Sequence, residues 1–166
     1  MKTINIFMIG VAVGMILGVY VLTYFEIFHR PFSGVYDLES IAWETARRHD
    51  IDASLLFAIV RQESAWNPKA VSPKGAIGLM QIMPATGKEF CGLSRKQLFN
   101  PQNNLECGTA YFVRQLKYFG SVRLALCAYN AGPYRVRKLG NCPNFKETNQ
   151  YVHNILKNWN GTDKYE

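Results

Sequence analysis

What this sequence lacks narrows it first. Histidine is scarce, three in 166 residues, and the four cysteines at 91, 107, 127 and 142 stand 16, 20 and 15 positions apart. Ligands for a structural zinc site come in close pairs, so that spacing argues against one and no metal is expected. There is no P-loop, no dinucleotide-binding glycine signature and no zinc finger, and no cofactor is expected. Alternating apolar and polar stretches of the strand period are nearly missing, which points to an all-α domain. Internal repeats and low-complexity tracts are absent. Acidic residues are few. Setting aside Lys2 and Glu26 from totals of 19 basic and 12 acidic residues leaves 18 against 11 from His29 onward, still a net +7.

That excess attracts polyanions such as nucleic acid, anionic lipid or wall polymers bearing carboxylates and phosphates. Charge by itself does not choose among them. The basic residues are scattered, apart from Arg135-Val136-Arg137-Lys138, which reads as a solvated helix or loop.

From Ile4 to Phe25 the chain runs 22 residues without a charge, long enough to cross a bilayer as one helix. Lys2 gives a basic start, yet no Ala-x-Ala-like cleavage site follows and no nearby cysteine could carry a lipid. An uncleaved membrane anchor is the expectation, with Gly10, Gly14 and Gly18 on one helix face, as in packed membrane helices and in membrane helices generally. Residues 1–28 are thus read as an anchor, 29–36 as a linker, 37–160 as the domain and 161–166 as a polar tail.

Within the domain, a first helix is expected from about Asp37 through His49. Asp52 can cap a second, whose apolar residues Leu56, Ile59 and Val60 fall at helical spacing. Glu63 is the next position on that stripe, seven after Leu56 and four after Ile59. A carboxylate on an inward face is informative, because an ionised Glu is rarely buried without a partner. Desolvation raises its pKa, which suits a general acid near neutral pH; a core Glu tied to an Arg or to backbone amides is the plainer alternative. Asn67-Pro68 and Ser72-Pro73-Lys74-Gly75 then break and turn the chain, so that small polar groups can fold back over the helix end. Pro84 begins a short helix to about Phe90. Asn100-Pro101 opens a long one with Leu105, Phe112, Leu116 and Phe119 on one face, stopped by Gly120. Ser121 caps another to about Tyr129, which Gly132-Pro133 cannot continue, and a last helix carries Tyr151, Ile155 and Trp159.

An even cysteine count in an exported domain allows one or two disulfides. Sequence-near pairs are the cheapest to close, which favours Cys91–Cys107 and Cys127–Cys142, with Cys127 as a buried free thiol the alternative.

Four stretches resemble the ordered motifs of the soluble lytic transglycosylase family, lysozyme-like enzymes that cleave peptidoglycan. They are Glu63-Ser64, Gly78-Leu79-Met80-Gln81 with Ile82-Met83-Pro84, Ala128-Tyr129-Asn130-Ala131-Gly132-Pro133, and Glu147-Thr148 with Tyr151-Val152. The resemblance implies a lysozyme-like helical fold and a single catalytic carboxylate, whereas ordinary glycosidases use two. Glu63 would protonate the bond between N-acetylmuramic acid and N-acetylglucosamine while the substrate's N-acetyl group stabilises the sugar cation. It would then take the 6-hydroxyl proton, closing a 1,6-anhydro ring. By the same resemblance Ser72 lies near the reacting sugar, and Gln81 and Met83 orient and contact saccharide. Tyr129 and Asn130 touch the sugar or the carboxylate, Glu147 and Tyr151 line the cleft, and Ser64 supports Glu63 or the loop. Cys127 departs from the family's usual small residue there. The implied partners are peptidoglycan strands, the membrane through the N-terminal helix, and an assembly for secretion, conjugation or phage infection; no nucleic acid is expected. The implied location is a membrane-anchored domain in the periplasm, or a virion-associated membrane if the chain is viral. A goose-type hydrolytic muramidase and a catalytically silent wall-binding subunit are the rival readings.

Overall fold

The computed structural model describes residues 38–159. The anchor, the linker and the polar tail expected at 1–28, 29–36 and 161–166 lie outside the described residues. Among those described there are seven α-helices, one 3-10 turn at Gln97–Phe99 and no strand. The helices are α1 (Leu38–Arg48), α2 (Ala53–Ser64), α3 (Pro84–Cys91), α4 (Pro101–Phe119), α5 (Val122–Ala131), α6 (Pro133–Leu139) and α7 (Lys146–Asn158).

Local chemistry sets most of the boundaries. Asp52 caps α2 by accepting from Ser54 N–H, Asn100 caps α4 through Asn103 N–H, and Ser121 caps α5 through Leu124 N–H. Gly92 and Gly120 close α3 and α4 in the left-handed conformation that lacks a steric penalty only for glycine. One element departs from expectation: Pro133 does not merely end α5 but opens α6. Proline fits the first position of a helix because its missing N–H would be unpaired there anyway.

The core is built from Leu55, Leu56, Ile59 and Val60 of α2, Phe112 and Leu116 of α4, Leu126 of α5 and Ile155 of α7, all buried. Helix α2 packs against α1 and α7, while α5 joins α4 to α7. Trp159 ends α7 and donates its indole N–H to Asp52 Oδ2 at 2.9 Å, so the cap of α2 is tied to the end of α7. Although burial works to raise the Asp52 pKa, bonds from Trp159 and Ser54 hold it below the usual range. Glu106 of α4 receives Arg48 at 2.9 Å and His49 at 2.7 Å, which fixes α1 on α4.

Cys91 is bonded to Cys107 and Cys127 to Cys142, with Cα atoms 5.8 and 5.5 Å apart. The first bond ties the end of α3 to α4, and the second ties the loop after α6 to α5. No cysteine is left free.

Candidate active site

Glu63 stands in the last turn of α2, where the helix unwinds through two consecutive left-handed residues, Ala65 (φ 49) and Trp66 (φ 65). Non-glycine residues in that region cost on the order of 1 kcal/mol each and persist only where surroundings hold them. Here the Trp66 ring meets Phe57 edge-on at 5.3 Å, and Ser64 Oγ donates to Leu79 O at 2.9 Å. The loop between α2 and α3 is thereby drawn back onto the helix that carries the acid. Two isolated antiparallel bridges, Val71 with Ile77 and Ile77 with Ile82, shape that loop.

Glu63 as a whole residue is half-buried. Tyr151 of α7 donates its hydroxyl to Glu63 Oε1 at 2.6 Å. Burial pushes the Glu63 pKa from the ordinary 4.5 up to about 7, against the lowering effect of the Tyr151 bond. No Arg, Lys or backbone amide is among the groups that shift Glu63, and its hydrogen-bond partner there is the neutral Tyr151 phenol. Burial, and then the Glu63 charge, raise the pKa values of both Tyr129 and Tyr151 well above 10.0, keeping them as neutral donors.

Tyr129 of α5 donates to Met80 O at 2.8 Å. The same Met80 peptide offers its N–H to Asn104 Oδ1 at 2.8 Å, and Asn104 Nδ2 donates to Ile77 O and Leu98 O, both at 2.8 Å. Asn104 is fully buried in α4 and holds three backbone groups that water cannot reach. Close approach explains two glycines. A Cβ on Gly78 would collide with the Asn104 side chain, and one on Gly108 would press into Met80.

The remaining residues singled out from sequence fall less uniformly. Ser72 accepts Ala76 N–H at 3.0 Å and closes the turn that contains Gly75. Gln81 is left-handed (φ 49) and turns its amide back to Gly78 O at 2.9 Å, leaving only its carbonyl oxygen unengaged in the loop. Met83 is exposed at the start of α3. Asn130 accepts Thr148 Oγ–H at 2.8 Å, which binds α5 to α7 next to Tyr151. Glu147 is exposed in the first turn of α7, and no hydrogen bond links it to Glu63 or Tyr151. The structure therefore brings together Glu63, Ser64, Tyr129 and Tyr151 around the Leu79-Met80 backbone, and keeps Glu147 apart.

Asn104 is the contributor that sequence reasoning missed, and Thr148 stood in a recognised motif without a role assigned to it. The signal for Asn104 was a polar residue on an apolar helix face, the same anomaly that exposed Glu63. No group of His, Cys, Asp and Glu among the described residues could hold a metal ion. Two surface concavities, of about 490 and 730 Å³, flank α6, and neither is lined by Glu63. The candidate site is taken from chemistry rather than cavity size, from a carboxyl with a raised pKa bonded to a neutral phenol.

The family model for the transglycosylase SLT domain matches residues 40–152. The soluble lytic murein transglycosylase of Salmonella typhimurium is 44% identical over 131 residues, covering 66% of this chain and 20% of that protein. The membrane-bound lytic murein transglycosylase C of Yersinia pestis is 38% identical over 105 residues, 54% of this chain and 29% of that protein. Among solved structures, the lytic transglycosylase Slt of Pseudomonas aeruginosa, an inactive glutamate-to-glutamine variant, superposes with a TM-score of 0.66 at 36% identity. That match covers 78% of this chain and 24% of the other. The chain thus spans about a fifth to a third of the length of these relatives.

Proposed function

The chain belongs to the transglycosylase SLT domain family, and from that premise we propose that its domain, residues 37–160, cleaves the glycan strands of peptidoglycan as a lytic transglycosylase. The observation that carries the reading is the Glu63 carboxyl, raised by burial to about 7 and bonded to Tyr151. A pKa near neutrality lets the group give up its proton and take one back without a large penalty in either step.

With Tyr151 donating to Oε1, the exchangeable proton belongs on Oε2, free to reach the oxygen of the scissile bond. Proton transfer ionises Glu63, and the Tyr151 bond strengthens as the carboxylate charge develops. The N-acetyl group of the muramyl sugar stabilises the cation formed at its anomeric carbon. The carboxylate then takes the proton of the same sugar's 6-hydroxyl, whose oxygen closes on the anomeric carbon to give the 1,6-anhydro end. No second carboxylate is among the groups that shift Glu63, in keeping with a single acid serving both steps. Tyr129 orders the loop backbone beside the acid, and the Met83 side chain offers an exposed apolar surface to a sugar face.

The apolar segment 4–25 would hold this domain near a membrane, and the likeness to a membrane-bound relative supports that association; a periplasmic location follows from the proposed substrate. Mass spectrometry of purified peptidoglycan digested by the full chain tests the chemistry. Anhydro-ended fragments, one water lighter than reducing ends, are expected. Reducing ends would assign hydrolysis instead, and undigested wall that still retains the chain in a pull-down would assign binding without catalysis.

A further inference from the structure

Helix α6 carries the basic cluster Arg135-Val136-Arg137-Lys138, in which Val136 is buried and the three cations are exposed. Tyr134 and Lys138, one turn apart, point away from Val136, with Arg135 and Arg137 on either side of them. A concavity of about 730 Å³ opens along the helix. Tyr134, Leu139 and Phe145 line it and are 68%, 57% and 45% exposed. Only seven large apolar side chains stand exposed among the described residues, so these three concentrate apolar surface in one place.

The cations are not engaged by carboxylates. The salt bridges among the described residues join Glu44 and Glu106 to Arg47, Arg48 and His49, and none reaches α6. No carboxylate lines the concavity, and the acidic residue nearest in sequence is Glu147 of α7. Arg135 lies 5.2 Å from the Phe145 ring centre, and Arg137 lies 5.6 Å from that of Tyr134. Each guanidinium thus stands beside an aromatic ring, a pairing of charge and apolar surface suited to an interface.

A neutral glycan would leave the cations unanswered, and a water-soluble polyanion would leave Leu139 and Phe145 in water. A bilayer of anionic phospholipid answers both, with phosphates at the level of the cations and acyl chains beneath for the apolar tips. The sequence also brings such a surface close. Only the 12 residues from Glu26 to Asp37 separate the uncharged segment 4–25 from the first helix. Such a linker spans at most about 40 Å, so an anchored domain meets its own bilayer at high effective concentration.

We propose that the exposed face of α6 docks on anionic phospholipid headgroups, an inference that draws on the anchor reading of segment 4–25. The apolar segment and the helix face are two holds on one membrane, the second released by salt.

The test places the full chain in nanodiscs of phosphatidylcholine alone and of phosphatidylcholine mixed with phosphatidylglycerol. Hydroxyl-radical footprinting then reads the oxidation of Tyr134, Leu139 and Phe145, with exposed Trp43 of α1 as internal reference. Each cation contributes about fivefold at an anionic surface, so phosphatidylglycerol should raise the docked-to-free ratio roughly a hundredfold. Oxidation of the three side chains relative to Trp43 should fall several-fold in the mixed discs and recover in high salt. The triple variant Arg135→Gln/Arg137→Gln/Lys138→Gln, shown to fold by thermal melts, should oxidise equally in both discs. Equal oxidation of wild type in both, or protection that survives the triple substitution, overturns the proposal. So does protection that appears in both discs and grows with protein concentration, which would assign the face to a second copy of the chain. If the chain fails to enter phosphatidylcholine discs, the anchor reading falls and flotation with mixed-lipid vesicles decides the face separately. Flotation that the triple variant loses supports docking, whereas flotation of both proteins or of neither overturns it.

Discussion

Tyr151 and Glu63, 88 positions apart in the chain, share a 2.6 Å hydrogen bond that joins α7 to the last turn of α2. The phenol is the one hydrogen-bond donor among the groups that shift the acid, and its effect opposes that of burial. That balance between desolvation and a single neutral donor is the device that sets when Glu63 holds its proton.

Glu63→Gln should abolish cleavage, lowering product release by roughly 10³-fold or more, because the amide can neither give nor accept the proton. Strand binding and the circular dichroism spectrum should be preserved. Retained lysis would remove Glu63 from the chemistry.

Tyr151→Phe removes the bond that lowers the Glu63 pKa, so the carboxyl should keep its proton to higher pH. The alkaline limb of the kcat/KM profile then moves upward. The maximal rate should drop about tenfold as a charge-assisted bond of roughly 1.5 kcal/mol is lost. An alkaline limb that stays in place would show that another group governs it.

Stability should also depend on Glu63. Its folded pKa of about 7 lies above the ordinary 4.5, so below pH 4.5 both folded and unfolded chains hold the proton and there is no penalty. Between 4.5 and 7 the unfolded chain ionises first, and stability falls as pH rises. Above 7 the loss is complete, at roughly 3 kcal/mol for full burial and less for a partly solvated edge. Asp52 and Glu106, with lowered values, act in the opposite sense at acid pH, and a wild-type minus Glu63→Gln comparison cancels them. Urea unfolding at pH 5 and pH 8 should show the Gln variant gaining on wild type at the higher pH. Equal differences at both would refute the linkage.

Asn104→Leu keeps the volume but orphans Leu98 O and Met80 N–H, and leaves Ile77 O with only its bond from Ile82 N–H. A loss of about 3 kcal/mol or more is expected in urea unfolding. Gly78→Ala should cost about 2 kcal/mol, because its φ of +78 disfavours a side chain and the new methyl meets Asn104. Because both act on one contact, their effects should be less than additive. Full additivity would separate the two residues.

Much of this architecture was legible without coordinates, and for a local reason. Asp52, Asn100 and Ser121 announce helix starts, and Gly92 and Gly120 announce ends, because capping depends on a few neighbouring backbone groups. The stripe Leu56, Ile59, Val60 placed Glu63 on the inner face of α2 by helical period alone. The sequence-near cysteines pair because short loops close most cheaply. Helix α6 was less legible, since Gly132-Pro133 reads equally as a stop and as a start.

What only the tertiary structure decided is which distant groups meet. Nothing local says that Tyr151 reaches Glu63 while Glu147, one turn earlier on the same helix, stays in solvent. Nor does the chain order reveal that Asn104 grips the Ile77 and Met80 backbone, or that Gln81 folds its amide into its own loop. Periodicity fixes a side chain's direction around its own helix axis, but its neighbours follow from how helices cross, and so does the desolvation that raises the Glu63 pKa.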